Sequence, residues 1–219
     1  MPRSRRLEYP GALYHVTARG VQQGAIYLDD VDRACFLKLV ARTLAIGGAR
    51  ALAFCLMGNH YHFVLQTSAA NLSALMQRIN SGYSLALNRR HDRRGHVFEG
   101  RFNAIHVDRD AYLLEVCRYV DLNPVRAGLC GSPDDWHWSS YRAHVGLADA
   151  PSWLATPELH GMLTGKAPTN EAQTDAAQRC YASWVEGGRG VRLWDRPLLE
   201  GRFLGNRAFV RRVETHVRE

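Results

Sequence analysis

No cysteine of this 219-residue chain stands in a C-x-x-C pair, and their number is odd: Cys35, Cys55, Cys117, Cys130 and Cys180 are scattered along it. That distribution argues against a disulfide framework and against a structural zinc knuckle. Long apolar runs are missing too. None approaches the roughly 20 residues that cross a bilayer, and the basic N-terminal stretch is not followed by the apolar segment of an export signal. A cytoplasmic protein without membrane attachment is expected. No internal repeat and no low-complexity segment occurs. With 46% hydrophobic and 22% charged residues, the composition excludes a disordered or fibrous chain. The length suffices for one sizeable core with an appendage.

Lysine is nearly absent. Lys38 and Lys166 are the two among 28 basic residues, and the remainder are arginines set against 21 acids, for a net charge of +7. Such a balance points to a polyanionic partner. The arginines also cluster. Arg3, Arg5 and Arg6 lie close together, and Arg89, Arg90, Arg93 and Arg94 crowd one stretch with His91, too densely for a helix face balanced by acids at i,i+4. That stretch reads as a phosphate-contacting loop.

Hydrophobic periodicity orders the elements. "ALYHVTARGV" is a strand, Asp29 and Asp30 can cap a helix that runs to Gly47-Gly48, and "RALAFCLMGNHYHFVLQT" is two strands about a Gly58-Asn59 turn. A second helix follows from Asn71, "RFNAIHVD" is a fourth strand, and "RDAYLLEVCRYVDL" is a third helix ending before Pro124. The order β-α-β-β-α-β, then α, is the ferredoxin-like plan of an α+β protein: an antiparallel sheet with helices on one face and the other face open to a ligand. Residues 1–145 are read as this domain. Residues 146–219, richer in Ala, Pro, Thr and Gly, are read as an accessory region with short helices near 157–164, 171–186 and in "NRAFVRRVETHV".

One strand carries an unusual pair. His60 and His62 point to the same face, roughly 6.5 to 7 Å apart along the strand, so they can converge on one ion; one core and one surface histidine would read the same way. On the third helix, Tyr119 and Asn123 are one turn apart on one side, although a packed tyrosine and a helix-ending asparagine would again suffice. His15 and His106, on other strands, receive no role.

The motifs "YHVTARG", "MGNHYHFVLQ", "FEGRF" and "YVDLNPVRAG" occur together in this order, and on them the chain, over about residues 8–145, resembles the REP-associated tyrosine transposases, of the one-tyrosine branch of the HUH nuclease superfamily. The family's H-hydrophobic-H signature is matched by His60-Tyr61-His62 and its tyrosine motif by Tyr119-Val-Asp-Leu-Asn123-Pro. Gly58 departs from the proline common in relatives, which affects only the turn. The resemblance implies that His60, His62 and Asn123 hold a divalent metal and that Tyr119 is the nucleophile. It further implies the ferredoxin-like fold, a substrate of single-stranded DNA hairpins formed by repetitive extragenic palindromes, nucleoid association and a monomer, whereas insertion-sequence relatives can share sites across dimers. Arg89, Arg90, Arg93, Arg94 and Arg101 are the expected DNA contacts, the last from "FEGRF".

Two imidazoles and an amide oxygen suit Mn²⁺ or Mg²⁺. The expected reaction is metal-dependent nicking and rejoining through a 5′-phosphotyrosine, with no organic cofactor. Two alternatives stand beside it. A non-catalytic single-stranded nucleic-acid-binding module on the same fold needs neither H-x-H nor tyrosine, and a zinc hydrolase needs a water-activating acid that the sequence near the histidines does not offer.

Overall fold

Alternating and helical patterns sort into the expected elements in a computed structural model, which describes residues 6–191, 198–199 and 201–218; Arg3 and Arg5 lie outside the described residues. Strands β1 (Leu13–Arg19), β2 (Ala49–Leu56), β3 (His60–Thr67) and β4 (Asn103–Val107) form a sheet in the order β2-β3-β1-β4, every neighbouring pair antiparallel. Helices α1 (Asp30–Gly47) and α2 (Leu72–Arg90) make the two crossovers, and α3 (Arg109–Asp121) follows β4. This is the ferredoxin-like plan. Its local causes are visible at α1: the Asp29 side chain accepts from the Asp32 amide at 3.0 Å, and Gly48, at φ +62, closes the helix in the left-handed region that only glycine enters freely.

The period of two along each strand divides the core. Tyr14, Val16, Tyr61, Phe63 and Leu65 face Phe36, Val40 and Leu44 of α1 and Met76, Ile79 and Tyr83 of α2. On the opposite face Leu13, Val64, Ile105 and Val107 pack against Leu113, Val116, Cys117 and Val120 of α3. That second face is not open as the element order suggested. Its apolar residues must be covered, and α3 covers them, leaving a cleft where the strands carry polar residues instead.

Beyond Asn123 the chain forms short helices α4 (Asn123–Arg126) and α5 (Tyr141–His144), then α6 (Thr156–Thr164), α7 (Glu171–Glu186), the two-residue strand β5 (Phe203–Leu204) and α8 (Arg207–Arg218). Strand β5, which the sequence pattern did not suggest, pairs parallel with β4 through His106↔Phe203 and Val107↔Leu204. Leu159, Tyr181 and Val185 join the core behind α3. Polar groups join it as well. The Asp121 carboxylate, fully buried, accepts from the Tyr181 and Ser140 hydroxyls, both at 2.7 Å; burial pushes its pKa up to about 7 although both bonds oppose the rise. His144 donates from Nε2 to the Leu52 carbonyl at 3.0 Å, which leaves Nδ1 to accept from Thr156 Oγ1 at 2.9 Å. The aromatics Trp136, Trp138, Tyr141 and Trp153 pack against these cores. Among the described residues no helix is long and apolar enough to cross a membrane.

Candidate active site

The β1–β3 register pairs Arg19 with His60, Thr17 with His62 and His15 with Val64. All of these side chains except Val64 are polar, and they share the face on which α3 lies. His15 therefore stands diagonally next to His62. Its Nε2 is 2.9 Å from His62 Nδ1, with the rings nearly coplanar at 5° and 5.2 Å between centroids. His60 has a different support: its Nδ1 is 2.7 Å from Asn59 Oδ1. Asn59 is itself oriented, because its amide nitrogen donates to the Gln23 carbonyl at 3.0 Å. The oxygen facing His60 can only accept, so Nδ1 carries the proton and Nε2 keeps its lone pair. Gln22 and Gln23 hold this support in a left-handed turn, at φ 52 and 59.

Both imidazoles are held neutral. Burial lowers the pKa of His62 well below the ordinary value, helped by His15, His60 and Arg19; burial, then Arg19, lowers that of His60. His62 Nε2 is buried and has no hydrogen-bond partner among the described residues. A buried imidazole nitrogen left bare costs free energy unless a ligand takes it. Two neutral imidazoles 4.9 Å apart between centroids, each with its Nδ1 engaged by a neighbouring side chain, are the arrangement found around metals.

Tyr119 projects from the last turns of α3 onto this pair. Its half-buried ring lies edge-on to His62 at 5.9 Å and to His15 at 6.0 Å between centroids. Asn123, buried at the start of α4, donates its amide hydrogen to the Tyr119 carbonyl at 3.0 Å, which leaves its Oδ1 as the group able to serve a ligand. A cleft of about 540 Å³ is lined by His60, His62, Tyr119 and Asn123 together with Arg19 and Arg101. The four expected chemical residues thus meet in one place. Among the described residues no group of three His, Cys, Asp or Glu side chains could hold a metal, so an ion here would rest on two imidazoles and an amide oxygen. That donor set fits Mn²⁺ or Mg²⁺ completed by water and phosphate oxygens. Glu99, the acid in this cleft, is exposed at its rim.

The arginines are a different matter. Arg101 lines the cleft, and also a larger groove of about 980 Å³ between α2 and residues 95–102 that meets the cleft at Glu99, Gly100 and Arg101. Arg89 and Arg90 are in the last turn of α2 and not in a loop, and only Arg93 and Arg94 lie in the exposed turn beyond it. Arg90 is committed elsewhere: it pairs with Asp29 at 2.7 Å and Asp32 at 2.5 Å, and His91 also meets Asp32 at 3.0 Å. The balancing acids come from the start of α1, 58 residues or more away in sequence, where a search along one helix cannot find them.

His15, Asn59 and Arg19 were not singled out as site residues by the sequence. The alternation that put His60 and His62 on one face would also have put His15 and Arg19 there, had the strand register been known. Asn59 carries no such signal, since a turn asparagine is ordinary.

Residues 10–123 match the family model described as Transposase IS200 like. A solved structure, that of a REP associated tyrosine transposase bound to a REP hairpin, superposes with a TM-score of 0.58 at 15% identity, covering 71% of this chain and 92% of that one. A tRNA(His) guanylyltransferase from Saccharomyces cerevisiae superposes with a TM-score of 0.39 at 11% identity over 82% of each chain, too weakly to bear on the fold. No curated protein sequence matches the chain.

Proposed function

The chain belongs to the IS200-like transposase family, and from that premise we propose that it is a metal-dependent single-strand DNA nicking and rejoining enzyme acting at hairpin-forming palindromic repeats. The observation that carries this reading is the bare, buried Nε2 of His62 in a cleft that also holds the Tyr119 ring. The hairpin substrate is supported by the structural neighbour, which binds a REP hairpin.

His60, His62 and Asn123 would hold the ion, which supplies Lewis-acid polarisation of a non-bridging phosphate oxygen. Arg19 and Arg101 hold and orient the phosphate in the cleft. The Tyr119 hydroxyl gives up its proton to solvent as its oxygen bonds to phosphorus and the P–O3′ bond breaks, and the departing 3′ oxygen takes up one proton from solvent, so the exchange is proton-neutral. The product is a 5′-phosphotyrosine with a free 3′ hydroxyl. Because one phosphodiester replaces another, an incoming 3′ hydroxyl can reverse the step without a nucleotide triphosphate. His60, His62, Tyr119 and Asn123 all come from one chain, which supports action as a monomer. Arg93 and Arg94 remain proposed as contacts to the backbone of the hairpin, with Arg89 beside them and Arg90 the weakest of the group because of its ion pairs.

The test is a labelled single-stranded hairpin incubated with the protein and Mn²⁺, Mg²⁺ or chelator, then resolved in denaturing detergent. A metal-dependent covalent adduct is expected, with binding that weakens steeply as salt rises and that favours the hairpin over a blunt duplex of the same sequence. A protein that binds the hairpin but neither nicks nor links it would be the non-catalytic module. His60→Ala and His62→Ala are each expected to lower adduct formation by about 100-fold or more while leaving hairpin affinity nearly unchanged, because the ion acts on the reacting phosphate. Calorimetry should show Mn²⁺ binding lost in the double variant. Undiminished Mn²⁺ binding there would overturn the ligand assignment.

A further inference from the structure

The arginine of "NPVRAG", which closes α4, has no part in the scheme above, yet it touches the nucleophile. Its Cζ lies 5.0 Å from the centroid of the Tyr119 ring, and Nη1 donates to the Tyr119 carbonyl at 3.3 Å. That carbonyl belongs to the last turn of α3, where helical partners run out, so Asn123 and Arg126 together supply its bonds. The other nitrogen reaches in the opposite direction along the chain. Nη2 donates to the carbonyls of Gly188, at 3.1 Å, and Val191, at 2.8 Å, in the turn after α7.

We propose that Arg126 is a positioning residue for Tyr119, and that the turn at residues 187–191 is the seat that holds it. The proposal rests on the nicking reaction above and assigns that reaction a dependence on a segment outside the family match at residues 10–123. A guanidinium is planar and donates in fixed directions, so one group can bind two carbonyls on one side and lie over a ring on the other. The ring also stands in T-shaped contact with His15 and His62, so Arg126 adds a further side to the surroundings of Tyr119. Placement matters here: a displacement of about 1 Å in an attacking group costs on the order of 100-fold in rate.

The seat is built closely. Arg118, buried in α3, stacks over Trp184 at 4.2 Å and pairs with Glu115 at 2.5 Å, and Gly188 lies directly on it. A Cβ at position 188 would fall 2.3 Å from Arg118 Cδ and 2.5 Å from its Nε. A side chain there must displace either the turn or the Arg118 side chain, and Arg118 is held by Glu115 and Trp184, so we infer that the turn yields and carries the Gly188 carbonyl off Arg126. Gly188→Ala thus perturbs Tyr119 through Arg126 without altering either residue.

The experiment compares wild type, Arg126→Gln, Arg126→Lys and Gly188→Ala for hairpin affinity, single-turnover adduct rate, and the fluorine spectrum of protein labelled with 3-fluorotyrosine. The Tyr119 resonance is identified by its loss in Tyr119→Phe. Arg126→Gln and Gly188→Ala should each slow adduct formation by about 10- to 100-fold with hairpin affinity within threefold of wild type. Arg126→Lys should recover part of the rate. The Tyr119 resonance should shift or broaden in Arg126→Gln and Gly188→Ala while the other tyrosine resonances stay in place, which also shows that the variants are folded. An unchanged Tyr119 resonance in both variants overturns the proposal, as does a fall in affinity equal to the fall in rate, which would make Arg126 a DNA contact. If wild type forms no adduct, the nicking reading fails while the resonance still decides whether Arg126 positions Tyr119.

Discussion

Tyr119→Phe should bind the hairpin as well as the parent protein does and form no detergent-resistant adduct with it. The substitution removes one oxygen and leaves a half-buried ring among His15, His62 and Arg126, so stability should change by no more than about 1 kcal/mol. Attack on phosphorus, by contrast, becomes chemically impossible without that oxygen. In the wild type, label placed on the 3′ side of the cut should travel with the protein through boiling in detergent, since tyrosine takes the 5′ phosphate, and label on the 5′ side should not. Nicking that persists at the same position in the variant would identify water as the nucleophile and give the site to a metal-dependent hydrolase.

A second large effect is expected from acid. Burial holds the pKa of His15 and His144 at about 3 and that of His106 at about 4, and drives that of His62 well below its ordinary value. An unfolded histidine titrates near 6.5, so below that pH the unfolded chain takes up protons that the folded chain refuses. These groups therefore support the fold fully above about pH 6.5 and lose that support as pH falls toward their folded values. Asp121 acts in the opposite sense: raised to about 7, it binds a proton in the folded state that the unfolded carboxylate refuses above about pH 4, so it favours the fold as pH falls. The buried histidines outnumber the one raised carboxylate, so the net effect is a loss of stability as pH falls below about 6.5. In chelator, cooperative unfolding on acidification with net proton uptake is expected, followed by circular dichroism and potentiometry. Stability that stays level from pH 7 to 4 would show that these histidines are not buried neutral. His144→Gln should lower the proton count by about one.

The expected reaction rests on very few side chains, and most of those were visible before any fold. The H-x-H spacing places two imidazoles on one strand face whatever sheet the strand joins, and the four-residue interval from Tyr119 to Asn123 places a phenol and an amide on one side of a helix. These are consequences of periods 2 and 3.6, which act within a single element. The elements themselves were legible for the same reason, down to the helices at 156–164 and 171–186.

Tertiary structure decided which of those local facts combine. The β1–β3 register set His15 against His62 and thereby left His62 Nε2 bare; no pattern within either strand determines that register. Packing of α3 over the second face, required by Leu13, Val64 and Ile105, turned an expected open sheet into a cleft and brought Tyr119 to the histidines. Arg90, read as a free cation, found Asp29 and Asp32 only because α1 and α2 lie side by side. The region after residue 145, which its composition marked merely as different, acquired its contacts to Asp121 and Arg126 by the same route. Periodicity is a property of neighbours along the chain, whereas charge pairing, hydrogen-bond completion and ring contact depend on distance in space, and chain order alone does not set that distance.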